Sequence, residues 1–232
     1  MKRNLALLVL SALVLVGCKH RIGYKLTEAD RWNGPKLNGV LCVQPVVDAS
    51  VAITNKQERI NKETWRLNYR SGYANTNISE AVTATIVKHL AHSGLFKKVT
   101  TGSEANADWV LSGRLTDFAT RAHANDKAEI IQSVSAGFGL LGAIVGSAST
   151  SKMTSDIQTT VKIDPVSLSD RAGQIVWQDS ISVTNSKTVD FGQANEYAVF
   201  YHPDAALKQA VSEMIQRIAS SVTTNSHTSV IR

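Results

Sequence analysis

The chain has 232 residues and carries 25 Lys and Arg against 19 Asp and Glu, a formal net charge of +6 at pH 7. This excess of cations is mild, so the composition gives no case for a nucleic-acid partner. The length is sufficient for one sizeable hydrophobic core or two small ones.

The N-terminus has the pattern of a cleavable signal peptide. Lys2 and Arg3 precede an apolar run over residues 5–16, which is too short to span a bilayer, because a spanning helix needs about 20 residues. The run ends in Gly17 and Cys18, which resembles the lipobox of bacterial lipoproteins. We therefore predict that residues 1–17 are removed and that acylated Cys18 holds the protein to membrane lipid; a secretory peptide with a chance cysteine is the alternative.

The same resemblance predicts where the protein is located. Lys19 stands where an Asp would retain an enteric lipoprotein in the inner membrane, so we expect an outer-membrane anchor with the folded part facing the periplasm. Loss of residues 1–17 leaves 23 Lys and Arg against 19 Asp and Glu, a charge of +4. With Cys18 acylated, only Cys42 remains and no internal disulfide can form.

We predict a lipidated tether over residues 18–36, a single periplasmic domain over 37–222 and a polar tail over 223–232. The domain begins with a buried strand over 37–47, which is rich in Val and Leu. Residues 48–76 are polar and ambiguous, and alternating aromatic and apolar residues from Trp65 predict a short strand or an ordered loop.

The clearest helix follows. Asn77 and Glu80 form a capping-box-like start, and apolar residues then recur at helical spacing as far as Leu90. Gly94 is expected to end the helix in a left-handed conformation.

The rest of the domain is predicted to contain four strands and a second helix. The strands cover 95–100, 107–118 and 157–163, and a hairpin turn at 170–173 leads into a return strand with Ile175, Trp177, Ile181 and Val183 on one face. The helix begins near Pro203 and has an apolar stripe ending at Val222. The predicted fold class is α+β: a mainly antiparallel sheet with two amphipathic helices packed on it.

Three segments of this pattern resemble a known group of lipoproteins. Residues 78–96, 107–115 and 172–177 are similar to the helix, strand and hairpin of the curli-secretion lipoprotein CsgG and its relatives. This resemblance implies a periplasmic domain of the kind also found in polysaccharide-export ring lipoproteins and in auxiliary lipoproteins of ABC transporters. It implies a fold and does not select one of these functions.

Residues 130–151 form an uncharged, glycine-rich apolar insertion with a GxxxG at 142–146, where small residues would let another helix approach closely. Three interpretations are open: a single transmembrane helix, a hairpin that contacts membrane or a neighbouring subunit, and a loop packed on the protein's own surface. A similar insertion in the TraT surface-exclusion lipoproteins favours contact. The proposed contact residues are Phe138, Gly139, Leu141, Gly142, Ile144, Val145 and Gly146.

The sequence carries no recognised catalytic motif: GxSxG, P-loop, HExxH and CxxC patterns are all missing. His89 and His92 could share a metal by their spacing, but His89 lies on the apolar stripe and is expected to be a satisfied core histidine. We therefore predict a protein that is not an enzyme and has no cofactor and no metal.

The leading hypothesis is a lipid-anchored envelope protein that forms a homo-oligomer and supports secretion, export or envelope assembly, with transport or secretion subunits as partners. One alternative is an auxiliary lipoprotein of an ABC-type lipid or solvent transporter, which a neighbouring ATPase and permease would indicate. The other is an unrecognised periplasmic hydrolase, which would need a pocket with convergent titratable groups.

Overall fold

The computed structural model describes residues 23–50, 56–59, 64–69, 77–102, 106–125, 154–190 and 200–228. Two α-helices are present in these ranges, α1 (Ile78–Ser93) and α2 (His202–Thr228), together with a 3-10 turn over Glu28–Asp30. The strands are β1 (Leu37–Val43), β2 (Val47–Asp48), β3 (Lys56–Arg59), β4 (Thr64–Tyr69), β5 (Phe96–Thr101), β6 (Trp109–Asn125), β7 (Thr154–Asp170) and β8 (Ile175–Asp190).

Strand β6 is the centre of the sheet. One of its edges pairs antiparallel with β7, from Trp109 opposite Asp170 to His123 opposite Asp156. The other edge is shared, because β1 and then β2 pair with it in parallel and β4 pairs with it antiparallel. Strands β5, β3 and β8 extend the sheet beyond β1, β4 and β7 respectively. The α+β class is confirmed, and the sheet is mixed.

Both helices pack on the same face of this sheet. Ile86 of α1 and Met214 of α2 line one small cavity together with Val43, Leu111 and Ile163 from three strands. The largest fully buried side chains come from both helices, four strands and the turn before β5: Leu41, Ile86, Leu90, Leu95, Leu115, Ile157, Ile163, Leu168, Ile181, Leu207 and Met214. A single core therefore connects the helices with the sheet.

The predicted limits of α1 are confirmed. The side chain of Asn77 accepts a hydrogen bond from the backbone N–H of Glu80, and Gly94 ends the helix with φ +68°. The hairpin turn is also present, since the backbone N–H of Gly173 donates to the carbonyl of Asp170. Gly173 has φ +79°, which glycine adopts at little cost.

Several predicted boundaries are wrong. The strand predicted over 37–47 is divided into β1 and β2, because the backbone N–H of Val46 leaves the ladder and donates to the Thr83 hydroxyl of α1 at 2.9 Å. Strands β6 and β7 have 17 residues each, which is about 56 Å at 3.3 Å per residue. Helix α2 continues to Thr228, so most of the predicted polar tail is helical.

The predicted inward face of β8 needs one correction. The register between β7 and β8 shifts where Leu168 pairs with Trp177 but Ser169 pairs with Ile175. The extra residue, Val176, reverses the alternation, so Trp177 is 7% exposed whereas Ile175 is 59% exposed.

This difference gives a matched pair of variants. Trp177→Ala should lower the free energy of unfolding by about 3–5 kcal/mol, because it empties a buried site in the core. Ile175→Ala, two residues away, should change it by no more than about 0.5 kcal/mol. Urea unfolding followed by circular dichroism measures both; equal losses would contradict the register shift.

Candidate functional site

The segment from Gly23 to Trp32 contacts both helices and forms a partly buried polar site with them. Tyr24 is 8% exposed, and its hydroxyl is hydrogen-bonded to Nδ1 of His89 at 2.8 Å. The two rings meet edge to face, with centroids 5.4 Å apart. The predicted tether over 18–36 is therefore wrong from Gly23 onward, because these residues are part of the folded domain.

Further contacts fix this segment at both ends. Lys208 of α2 forms an ion pair with Asp30 at 2.8 Å and donates to the carbonyl of Lys25 at 3.3 Å. At the other end, the backbone N–H of Trp32 donates to the carbonyl of Ser93, the last residue of α1, at 2.9 Å. The segment therefore bridges α1 and α2.

Burial controls the charge state at the centre of this site. Burial lowers the pKa of His89 to about 4, against a smaller increase from Asp30 and together with smaller decreases from Lys208 and His92. Burial also raises the pKa of the Tyr24 hydroxyl. The hydrogen bond between them therefore joins two neutral groups at pH 7. Burial also opposes ionisation of Asp30, but hydrogen bonds from Lys208 and Thr27 outweigh it and hold the pKa of Asp30 at about 2.

A polar cavity of about 100 Å³ adjoins His89. Asp30, Trp32, Ser212 and Gln216 are among its lining residues, and Nε2 of His89 has no hydrogen-bond partner within the ranges that the structure describes. A cavity of this size and polarity accommodates several water molecules, which can satisfy such a buried nitrogen.

A second buried polar chain connects the start of α2 to the strands. Nδ1 of His202 lies 3.1 Å from the hydroxyl of Thr159, which in turn lies 2.8 Å from the hydroxyl of Thr120. All three side chains are almost fully buried, and burial lowers the pKa of His202. These hydrogen bonds therefore hold the first turn of α2 on the parts of β6 and β7 that lie nearest to Asn125 and Thr154.

The residues that sequence reasoning selected as sites, Cys18 and the seven contact residues between Phe138 and Gly146, lie outside the described residues. The ends of the insertion are defined, because Asn125 ends β6, Thr154 begins β7 and His123 pairs with Asp156. A single transmembrane helix between these strands would put paired strands on opposite sides of a membrane, so that interpretation is incompatible with the sheet.

No helix in the described ranges is long and apolar enough to cross a membrane. His89 bonds to Tyr24 as expected of a core histidine, whereas Nε2 of His92 lies 2.7 Å from the carbonyl of Thr27. Among these residues no three His, Cys, Asp or Glu side chains are grouped as metal ligands.

Sequence reasoning missed the partners of the N-terminal segment. Asp30 and Lys208 are 178 positions apart, and Tyr24 and His89 are 65 apart. The sequence contains one indication that this segment is buried: Tyr24 is a large aromatic residue at the start of a polar stretch.

Comparison with known proteins supports the fold. No family model and no curated protein sequence matches the chain. A solved structure from Xanthomonas campestris, assigned to the family DUF330, is 13% identical with a TM-score of 0.51, over 89% of this chain and 96% of that chain. At this identity the similarity shows the fold alone.

Two further structures are more distant. A PelC dodecamer from Paraburkholderia phytofirmans is 12% identical with a TM-score of 0.33, over 82% of this chain and 90% of that chain. A homolog of neuraminyllactose-binding hemagglutinin from Helicobacter pylori is 9% identical with a TM-score of 0.36, over 85% and 90%. Both are too dissimilar to support conclusions about this protein.

The depressed pKa of His89 predicts loss of stability in mild acid. Unfolded His89 binds a proton near pH 6.5, whereas folded His89 resists protonation to about pH 4, so the unfolded state binds more protons in this window. The free energy of unfolding should therefore fall by on the order of 2 kcal/mol as the pH falls from 6.5 to 4.

Urea unfolding at half-unit pH steps measures this effect. His89→Gln removes the titrating group and should make the curve shallower in this window. His202→Gln measures the separate contribution of the other buried histidine, whose pKa burial also lowers. The carboxylate of Asp30 also stabilises the folded state, but this stabilisation is lost only at lower pH, as the pH falls below 4 toward 2. If the wild-type curve were parallel to the His89→Gln curve, His89 would not be the source of the acid sensitivity, and the lowered pKa of His89 would be contradicted.

Proposed function

We propose that the chain is a lipid-anchored protein of the bacterial envelope that is not an enzyme, associates with copies of itself, and supports secretion, export or envelope assembly. Acylated Cys18 holds it in the outer membrane with the domain on the periplasmic side. The observation that carries the proposal is the antiparallel pairing of β6 and β7 as far as His123 and Asp156.

This pairing limits what the glycine-rich insertion can do. Directly paired residues have Cα atoms about 5 Å apart, so residues 126–153 leave the sheet and return to it at nearly the same point. Both flanks then lie on one side of any membrane. A hairpin in the insertion would have two legs of about ten residues, which are too short to cross a membrane as helices. The insertion then either packs on the protein's own surface or contacts the membrane surface or a neighbouring subunit, and we propose the contact.

The GxxxG within the insertion favours a subunit contact. Gly142 and Gly146 lie one helical turn apart in a helix, where small residues allow a second helix to approach closely. In a closed ring the same contact recurs at every interface, so a defect at one position affects all of them.

The buried titratable groups of the described domain have structural roles that fit a protein without catalytic chemistry. His89 bonds to Tyr24 and His202 bonds to Thr159. The partly exposed Asp179 forms an ion pair with Arg217 at 2.8 Å, which joins α2 to β8.

Replacing Gly142 and Gly146 together with Leu should abolish the oligomer and leave the thermal stability of the monomer nearly unchanged, because the added side chains separate neighbouring helices. Light scattering of the detergent-solubilised protein measures the particle mass. The Ser149→Leu, Ser151→Leu double variant adds the same side chains outside the GxxxG and should assemble like the wild type.

Removing residues 133–149 is a more severe form of this experiment. A short Gly-Ser linker can bridge the gap without straining the sheet, because β6 and β7 end side by side. A deletion variant that still assembles would contradict self-association through the insertion.

A further inference from the structure

We propose that one surface of the domain lies flat against the bilayer that holds Cys18. This surface, the anchor face, consists of Gly23–Arg31, Tyr201 and Lys208. The inference rests on the lipid anchor of the proposed function and adds the orientation of the domain on the membrane.

The short connection to the lipid carries the inference. Cys18 is five residues from Gly23, so the connection spans at most about 18 Å at 3.6 Å per residue. Strands β6 and β7 are about 56 Å long, and a helix layer packed on a sheet is roughly 20 Å thick, so the connection is too short to pass around the domain to its opposite face. The lipid therefore cannot reach the bilayer if the opposite side of the domain faces it.

The N-terminal segment cannot lengthen this connection without losing its contacts. Tyr24 is buried and bonded to His89 of α1, and Lys208 of α2 is bonded to the carbonyl of Lys25 and the carboxylate of Asp30. Releasing more chain would leave the buried nitrogen of His89 without its partner, which is costly.

The chemistry of the anchor face suits a lipid headgroup layer. Asp30 is paired with Lys208 and Glu28 with Arg31, so these acids do not repel anionic lipid, and exposed Lys25 leaves an excess of positive charge. Tyr201 precedes α2, two helical turns before Lys208, and its side chain is 53% exposed. Tyrosine is enriched where a protein meets the membrane–water interface.

Fluorescence quenching by a nitroxide on the lipid headgroup tests this orientation. The full-length lipidated protein is placed in phosphatidylethanolamine–phosphatidylglycerol vesicles, with one dye on a cysteine introduced in a Cys42→Ala background. Glu28→Cys carries the dye on the anchor face, where the native side chain is 81% exposed. Ser182→Cys carries it on the sheet face opposite the helices, where Ser182 is exposed between buried Ile181 and Val183.

Quenching should be several-fold stronger at position 28 than at position 182. Equal quenching, or stronger quenching at 182, would overturn the orientation. The intact mass of the purified protein tests the anchor separately: a mass with no lipid on Cys18 would overturn the anchor and the orientation with it, whereas a lipidated protein with equal quenching would overturn the orientation alone.

A longer connection is the matched control. About 20 Gly and Ser residues inserted after Arg21 add an average reach of roughly 25 Å, so the difference between the two positions should shrink. A difference that the insertion leaves unchanged would overturn the claim that the short connection sets the orientation.

Discussion

The pairing of β6 along both of its edges is the constraint on which the rest of this structure depends. One edge is occupied by β7 over most of the strand, and the other is divided between β1, β2 and β4. The inner half of β6, over residues 109–115, therefore belongs to the compact core, and the outer half, over residues 120–125, forms a ribbon with β4, β7 and β8. Because the same strand runs through both parts, the end of the ribbon is held in a fixed relation to the helices.

The N-terminal segment connects this sheet to the proposed membrane anchor. Lys25 contacts Lys208 near the start of α2, and His202 in the first turn of α2 contacts Thr159 of β7. Thr159 is five residues from Thr154, the first residue of β7, which is about 17 Å along the strand. The chain that leads to Cys18 and the ribbon end that leads to the insertion therefore belong to the same half of the domain.

This arrangement has a consequence for the proposed assembly. Subunits that sit on one leaflet with the same face against it are related by rotation about the membrane normal. Such a relation permits cyclic rings and excludes dihedral assemblies, which would turn half of the subunits upside down. A fixed orientation on the bilayer also brings each ribbon end to the same height, where neighbouring insertions can meet.

Local features of this fold were predictable from the sequence, and long-range ones were not. Helix α1 was predictable because Asn77 and Gly94 mark its ends and an apolar stripe lies between them. The outer half of β6 was not, since residues 119–125 are small and polar and lack an apolar alternation. The exposure of Ile175 depends on a register shift against β7, and the burial of Tyr24 depends on His89, so neither leaves a periodic pattern in its own neighbourhood.

Hydrogen–deuterium exchange at the backbone amide of Trp32 tests most directly whether the N-terminal segment is a fixed part of the domain. This amide donates to the carbonyl of Ser93, so in the full-length protein it should be protected to nearly the same degree as amides in the middle of α1. Exchange at the rate of an unfolded peptide, while α1 stays protected, would show that the segment is a free tether and would contradict the account.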